Sequence, residues 1–344
     1  MNSLILEKNG CLNYRQTSDP RVKEDECLIH VRSAGICHSD LFRAFESGAY
    51  HYPLIMGHEF CGTIEQKGGD AGNFEIGQHV TVFPLIPCFQ CEACKQKKWV
   101  LCQDYDYYGS RRDGAFADKL AVKAWCLLPV TSDSDLFALT EPIAVAFHTA
   151  KRIKRQNGRV LIMGAGFIGL VIAKILSQGD GYDDITVLDR NDFKLQIAKD
   201  FGLRTILDSN EKPHQDFVNQ FEVVIEACGV EGSFRNSIHY VKTSGNVIWM
   251  GNIQSSLTFQ KAEVSAILRK EIDICGVWNS DYQPFEKSDW QDAIALIHEQ
   301  EWVNELVTHR YPLSKGKDIM GEIYRSKKQG QAHKFLKCLL TMDT

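Results

Sequence analysis

Four cysteines, Cys88, Cys91, Cys94 and Cys102, stand in the spacing C-x2-C-x2-C-x7-C. Tetrahedral zinc takes four thiolates, and tight Cys-x-x-Cys turns aim successive sulfurs at one point. Iron–sulfur ligation is the competing use, but its common runs are spaced differently. A closed four-sulfur site leaves no position open for chemistry, so this quartet reads as a structural staple. A second group is mixed: Cys37 among small residues, the pair His58-Glu59, and Glu141 ahead of Pro142. A thiol, an imidazole and one or two carboxylates suit a catalytic Zn²⁺ with one exchangeable position. Read singly, each has a plainer reading that is the better one: His58 a satisfied core histidine, Cys37 a buried apolar thiol, and Glu141 an acid favoured at a helix N-terminus.

A third group is Gly164-Ala165-Gly166-Phe167-Ile168-Gly169, a G-x-G-x-x-G turn with Asp189 placed 20 residues after its last glycine. Between a strand and a helix, such a turn brings a pyrophosphate onto the helix N-terminus. Asp189 would accept from an adenosine ribose 2′-hydroxyl and repel a 2′-phosphate, which favours NAD over NADP. Arg190 beside it pulls the other way, because an arginine accommodates that phosphate.

The elements that must position these groups change character along the chain. Up to about residue 129 the pattern is β-like, with short β-branched runs such as 27–31 and 79–83. From about residue 159 strand and helix patterns alternate. Strands are expected at 160–163, 185–188, 205–207, 223–227 and 246–250, with helices at 167–176 and 192–201. That alternation predicts a parallel, doubly wound sheet. After residue 278 the pattern is mixed again, with an amphipathic helix over 290–300. The cluster Lys151, Arg152, Lys154, Arg155 and Arg159 follows a helical stretch at 143–151, where cations complement the C-terminal dipole.

The chain has 344 residues, 44% hydrophobic and 24% charged, with a formal charge of −5. This is the composition of an ordinary globular protein with about two domains. It offers no basic excess for nucleic acid. The stretch 160–173 is the most apolar uncharged run and is too short to span a bilayer. Twelve cysteines without a signal-type apolar start are expected to be reduced, which places the protein in the cytoplasm and its thiols on metal.

Taken together and in this order, the groups resemble the zinc-dependent medium-chain alcohol dehydrogenase family over about residues 27–339. The resemblance implies an α/β chain with a GroES-like distorted β-barrel catalytic domain. A Rossmann domain at 143–278 is inserted between its parts at 1–142 and 279–344. It implies two zinc ions per chain and NAD. Cys37, His58, Glu59 and Glu141 become candidate catalytic ligands, with the choice between the glutamates open. Ser39 matches the family's proton-relay hydroxyl, and Asp40 the acid that supports the ligand histidine. Phe42 departs from the pattern, since many relatives carry a histidine there to pass the proton on.

Residues 48–53, 109–114 and 267–271 resemble segments of the sugar-alcohol-phosphate dehydrogenases within the family. This implies oxidation of a secondary hydroxyl of a polyol phosphate, with Tyr50, His51, Arg111 and Arg112 at the substrate. The two arginines read equally as partners for nearby acids. Unphosphorylated polyols, an aminocyclitol or L-threonine are the alternative substrates, and a non-catalytic NAD-binding protein is the alternative class. The late apolar strand at 272–277 implies edge pairing between subunits, hence a homodimer or a tetramer built from dimers.

Overall fold

The computed structural model describes residues 1–179, 181–209, 212–253, 255–284, 286–329 and 334–342. The chain divides into two compact units, Met1–Ala144 with Asp281–Thr344, and Val145–Ser280.

In the first unit a seven-stranded sheet is organised around the strand Glu26–Gly35. On one side it pairs antiparallel with Glu59–Lys67, so that Gly35 lies opposite Glu59. On the other side its first half pairs with Lys119–Lys123 and its last residues with Lys337–Thr341, where Leu339 faces Gly35. The C-terminal strand therefore completes a sheet that the N-terminal part begins. Its apolar core includes Ile29, Val31, Phe60, Val80, Phe116, Val122 and Leu340. The alternation of Lys119–Lys123 (half-buried, buried, half-buried) is the period of a strand with one face on that core.

The second unit is a six-stranded parallel sheet in the order Arg204–Leu207, Tyr182–Asp189, Gly158–Met163, Phe221–Glu226, Val241–Trp249, Asp273–Gly276. Val160, Leu161, Ile162 and Met163 are all fully buried, as a central strand covered on both faces requires. The helices Phe167–Gln178 and Asp192–Asp200 follow the pattern read from sequence. Two further helices, Glu231–Tyr240 and Lys261–Arg269, fall where the sequence pattern names none. The first buries Ser233, Asn236 and Ser237 beside Phe234 and Ile238, which blurs the apolar stripe that would have marked it.

No helix among the described residues is long and apolar enough to cross a membrane. None of the 12 cysteines, all among the described residues, is in a disulfide.

Candidate metal and cofactor sites

The quartet loops out from a two-stranded ribbon, Leu85–Ile86 against Asp106–Tyr107. Cys91 caps the short helix Glu92–Lys95, which carries Cys94, and Cys102 follows the turn Trp99–Leu101. The sulfur separations are 3.5 Å for Cys91–Cys94, 3.9 Å for Cys88–Cys94 and 3.9 Å for Cys91–Cys102. Four sulfurs around a tetrahedral zinc stand about 3.8 Å apart, so the cage has the dimensions of the ion. Backbone amides of Gln103 and Cys94 pull the Cys91 thiol down to about 6, while burial pushes Cys94 up to about 12. Four clustered thiols in this state do not ionise together unless a cation neutralises them.

The mixed group is assembled by the register of the first unit's sheet. Cys37 follows the strand Glu26–Gly35 and caps the helix His38–Phe42. Its own amide donates to Asp40 Oδ2 at 3.1 Å. His58 is delivered by residues 55–57, which bond to the backbone of 114–116. Gly57 sits there at φ +93°, and a Cβ on it would lie 2.5 Å from the Phe116 ring. His58 is buried, with Nδ1 3.3 Å from Asp40 Oδ1. Against the cost of burial, His58 and Arg43 hold the Asp40 carboxyl below the usual range. Ligand atoms of Cys37, His58 and Glu59 all lie within 4.8 Å of one another.

Glu141, in the first turn of the helix Thr140–Lys151, stands outside the set whose ligand atoms lie within 4.8 Å, but its carboxyl feels the charges of His58 and Glu59. Tyr107 Oη donates to its Oε1 at 3.4 Å. Burial first, and then Glu59, pushes the Glu141 carboxyl up to about 7 against the pull of His58 and Lys337. A thiol, an imidazole and a buried carboxyl within 4.8 Å of one another, with the buried Glu141 carboxyl electrostatically coupled to them, fit a divalent cation of zinc's donor preferences.

Lys337 was not legible as a site residue. Its ammonium donates to Glu59 Oε2, and both side chains are buried, at 5% and 2% exposure. Gly35 makes this possible: a Cβ there would stand 2.1 Å from Glu59 Oε2. The available signal was a lysine opening the apolar run Lys337-Cys338-Leu339-Leu340, a charge where a buried strand tolerates none unpaired.

The four expected substrate residues do not behave alike. The Arg111 guanidinium lies over the Tyr50 ring at 4.7 Å and the Tyr105 ring at 4.5 Å. His51 Nε2 is 3.2 Å from the Arg111 carbonyl oxygen. No ion pair to Arg111 occurs among the described residues, whereas Arg112 pairs with Asp106 at 3.4 Å. Edge-on contacts run from Tyr105 to Tyr107 at 6.2 Å and from Tyr107 to His58 at 5.8 Å. This aromatic series, which the sequence reading missed, joins Arg111 to the mixed donor set.

In the second unit each glycine of the turn has its own reason. Gly164 adopts φ +111°, Gly169 packs so close that a Cβ would meet Gly164 O at 2.1 Å, and a Cβ on Gly166 would meet nothing within 4 Å. The space before the N-terminus of Phe167–Gln178 is therefore open to a ligand, as a pyrophosphate site requires. Asp189 Oδ2 accepts from Ala165 N at 2.7 Å and Oδ1 from Asn191 N at 2.8 Å, which fixes this acid beside the turn. Arg190 is exposed.

Residues 23–132 match the alcohol dehydrogenase GroES-like domain, and residues 136–322 match the glucose dehydrogenase C-terminus. The second match alone covers more than half of the chain. The chain belongs to the zinc-type medium-chain dehydrogenases. Among these dehydrogenases, it is 30% identical to galactitol 1-phosphate 5-dehydrogenase of Escherichia coli K12, over 96% of this chain and 99% of that one. It is also 30% identical to the L-galactonate-5-dehydrogenase of that strain, over 91% and 92%. The crystal structure of galactitol-1-phosphate dehydrogenase from E. coli superposes with a TM-score of 0.89 at 29% identity, covering 99% and 100%. The expected architecture, GroES-like and doubly wound, is the one found, and the protein is an oxidoreductase of this zinc-binding family.

Proposed function

We propose that this dehydrogenase oxidises a secondary hydroxyl of a sugar-alcohol phosphate to the ketose phosphate, using NAD⁺ and a catalytic zinc, with a second zinc in the cysteine lobe. When bound, the catalytic zinc supplies a Lewis acid that acidifies the alcohol, and NAD⁺ accepts the hydride. Cys37, His58 and one or both of Glu59 and Glu141 hold that metal. Asp40 Oδ1, 3.3 Å from Nδ1 of His58, would steady the ring as a charged neighbour and leave Nε2 to ligate. Tyr107 holds Glu141 by its hydroxyl, and Lys337 holds Glu59. Ser39, in the helix that Cys37 opens, takes the substrate hydroxyl proton. Asp189 and the glycine turn bind the adenosine ribose and pyrophosphate, and the carboxylate favours NAD⁺ over NADP⁺.

The observation that carries the phosphorylated substrate is Arg111. Its guanidinium is oriented by two tyrosine faces, lacks an acid partner among the described residues, and is joined to the donor set by Tyr105 and Tyr107. A planar fork held in this way is matched to phosphate oxygens.

The deciding experiment measures NAD⁺ reduction on galactitol 1-phosphate, galactitol, sorbitol, L-galactonate and L-threonine. We expect kcat/KM on the phosphate ester to exceed that on free galactitol by about a hundredfold, the worth of a bidentate charged contact. Equal rates on the two would remove the phosphate from this reading, and preference for galactonate would make the anion a carboxylate.

A further inference from the structure

Glu226 is a fully buried carboxyl that the chemistry above leaves unused. Glu226 ends the strand Phe221–Glu226, behind the apolar run Val223, Val224 and Ile225. A carboxyl in such a place costs free energy unless it is hydrogen-bonded, so its bonds are informative. Its Oε1 accepts three: from Cys228 N at 2.8 Å, Gly229 N at 2.8 Å and Ser233 Oγ at 2.6 Å. Its main-chain carbonyl accepts from Met250 N at 3.0 Å and Gly251 N at 3.1 Å. Oε2 is buried without a hydrogen-bond partner among the described residues.

Glycines record how tightly the turns close on this residue. A Cβ on Gly251 would lie 2.3 Å from Glu226 Oε2 and 2.4 Å from Gly229 N. A Cβ on Gly164 would lie 3.2 Å from Ala227 O and from Cys228 Sγ. One residue thus gathers the turns at 227–229 and 250–251 against the glycine turn.

The place matters as much as the bonds. The strand order reverses between Gly158–Met163 and Phe221–Glu226. In a doubly wound sheet the ligand lies at the carboxyl ends of the strands at that switch point. The first three strands of the unit present the pyrophosphate turn and Asp189, so they serve the adenosine half. The carboxyl ends of Phe221–Glu226 and Val241–Trp249 then face the other nucleotide.

We infer that Glu226 is a positioning residue that holds the 227–229 and 250–251 turns in the shape that receives the nicotinamide half of the dinucleotide. The inference rests on the NAD reading above. Glu226 acts through backbone amides and through Ser233, and it touches no reacting atom.

The test titrates NADH into the purified full chain and follows nicotinamide fluorescence, beside thermal unfolding and zinc content. Native protein that fails to bind NADH defeats the cofactor reading as a whole. With native binding in hand, Glu226→Ala should weaken NADH by about tenfold or more at unchanged zinc content, the cost of leaving its three donors without an acceptor. Glu226→Gln keeps an acceptor at Oε1 and should bind within about threefold of native. A folded Glu226→Ala with native affinity and only a lowered Tm overturns the inference. So does a folded Glu226→Gln as weak as the alanine variant. Should Glu226→Ala not fold, Ser233→Ala removes one of the three donors and decides alone: native affinity in that variant overturns the inference, and weakened affinity at native zinc supports it.

Discussion

At the scale of single residues, the site is built from charges whose partners are counted out one by one. Glu59 and Lys337 satisfy each other under nearly complete burial, and Gly35 is the small residue that lets the carboxylate cross the strand. Gly35→Ala should therefore break the pair. Leaving a buried charge uncompensated costs about 3–5 kcal/mol. The expected result is a large fall in Tm in calorimetry together with loss of zinc from the mixed site. A Tm within experimental error of native would refute the steric argument. The two arginines make a sharper pair. Arg111→Ala should raise KM for a phosphorylated substrate by about ten- to a hundredfold, since it removes charged hydrogen bonds. Arg112→Ala should move KM by less than about threefold, because a half-exposed ion pair to Asp106 is worth little. Steady-state kinetics with saturating NAD⁺ separate these outcomes.

At the scale of elements, the cysteine lobe has little regular structure of its own, and outside the quartet it is tied to its unit by Phe89 and Trp99 against Trp125 and by Gln283. The helix Glu92–Lys95 has four residues, too few to persist alone, and the ribbon beneath it has two residues in each strand. Cys94→Ser should lower zinc by one ion per chain and Tm by on the order of 5 °C, as a loss of one to two kcal/mol does in a domain of this size. Zinc analysis beside differential scanning calorimetry checks both. Unchanged metal content would show that Cys94 does not hold the ion, and lost metal at an unchanged Tm would show that the lobe stands without it. Element existence was read well where apolar period was strong, as in Phe167–Gln178, whose Leu170, Val171, Ile172 and Ala173 are buried. It was read poorly for Glu231–Tyr240, because buried serines and an asparagine carry no apolar signal.

At the scale of the whole molecule, the strand Asp273–Gly276 is one of the two outer strands of the six-stranded sheet, with Arg204–Leu207 at the other edge. Its free edge would template association if left uncovered. Leu268 and Trp278, at 72% and 54% exposure, are large apolar side chains near it in sequence. We expect a homodimer, and light scattering should return twice the chain mass. Leu268→Glu with Trp278→Glu should shift the mass to that of one chain. A native monomer would show that the edge is tolerated in water. Metal removal separates the units. The metal donors lie in the first unit and the glycine turn in the second, so a chelated protein should lose turnover yet still bind NADH by fluorescence.

The sequence by itself determined the chemistry available: four thiols at metal spacing, a thiol with an imidazole and carboxylates, and a glycine turn with an acid beyond it. These follow from residue type and local spacing, which a one-dimensional string preserves. Only the tertiary structure decided which groups complete each other. Lys337 reaches Glu59 across 278 positions because the strand Lys337–Thr341 returns beside Glu26–Gly35. Arg111 and Arg112 are neighbours of one type in the chain. One is left with an open fork and the other is paired, because successive residues in a turn project toward different surroundings. Burial, register and pairing are set by residues distant in sequence, and no motif encodes them.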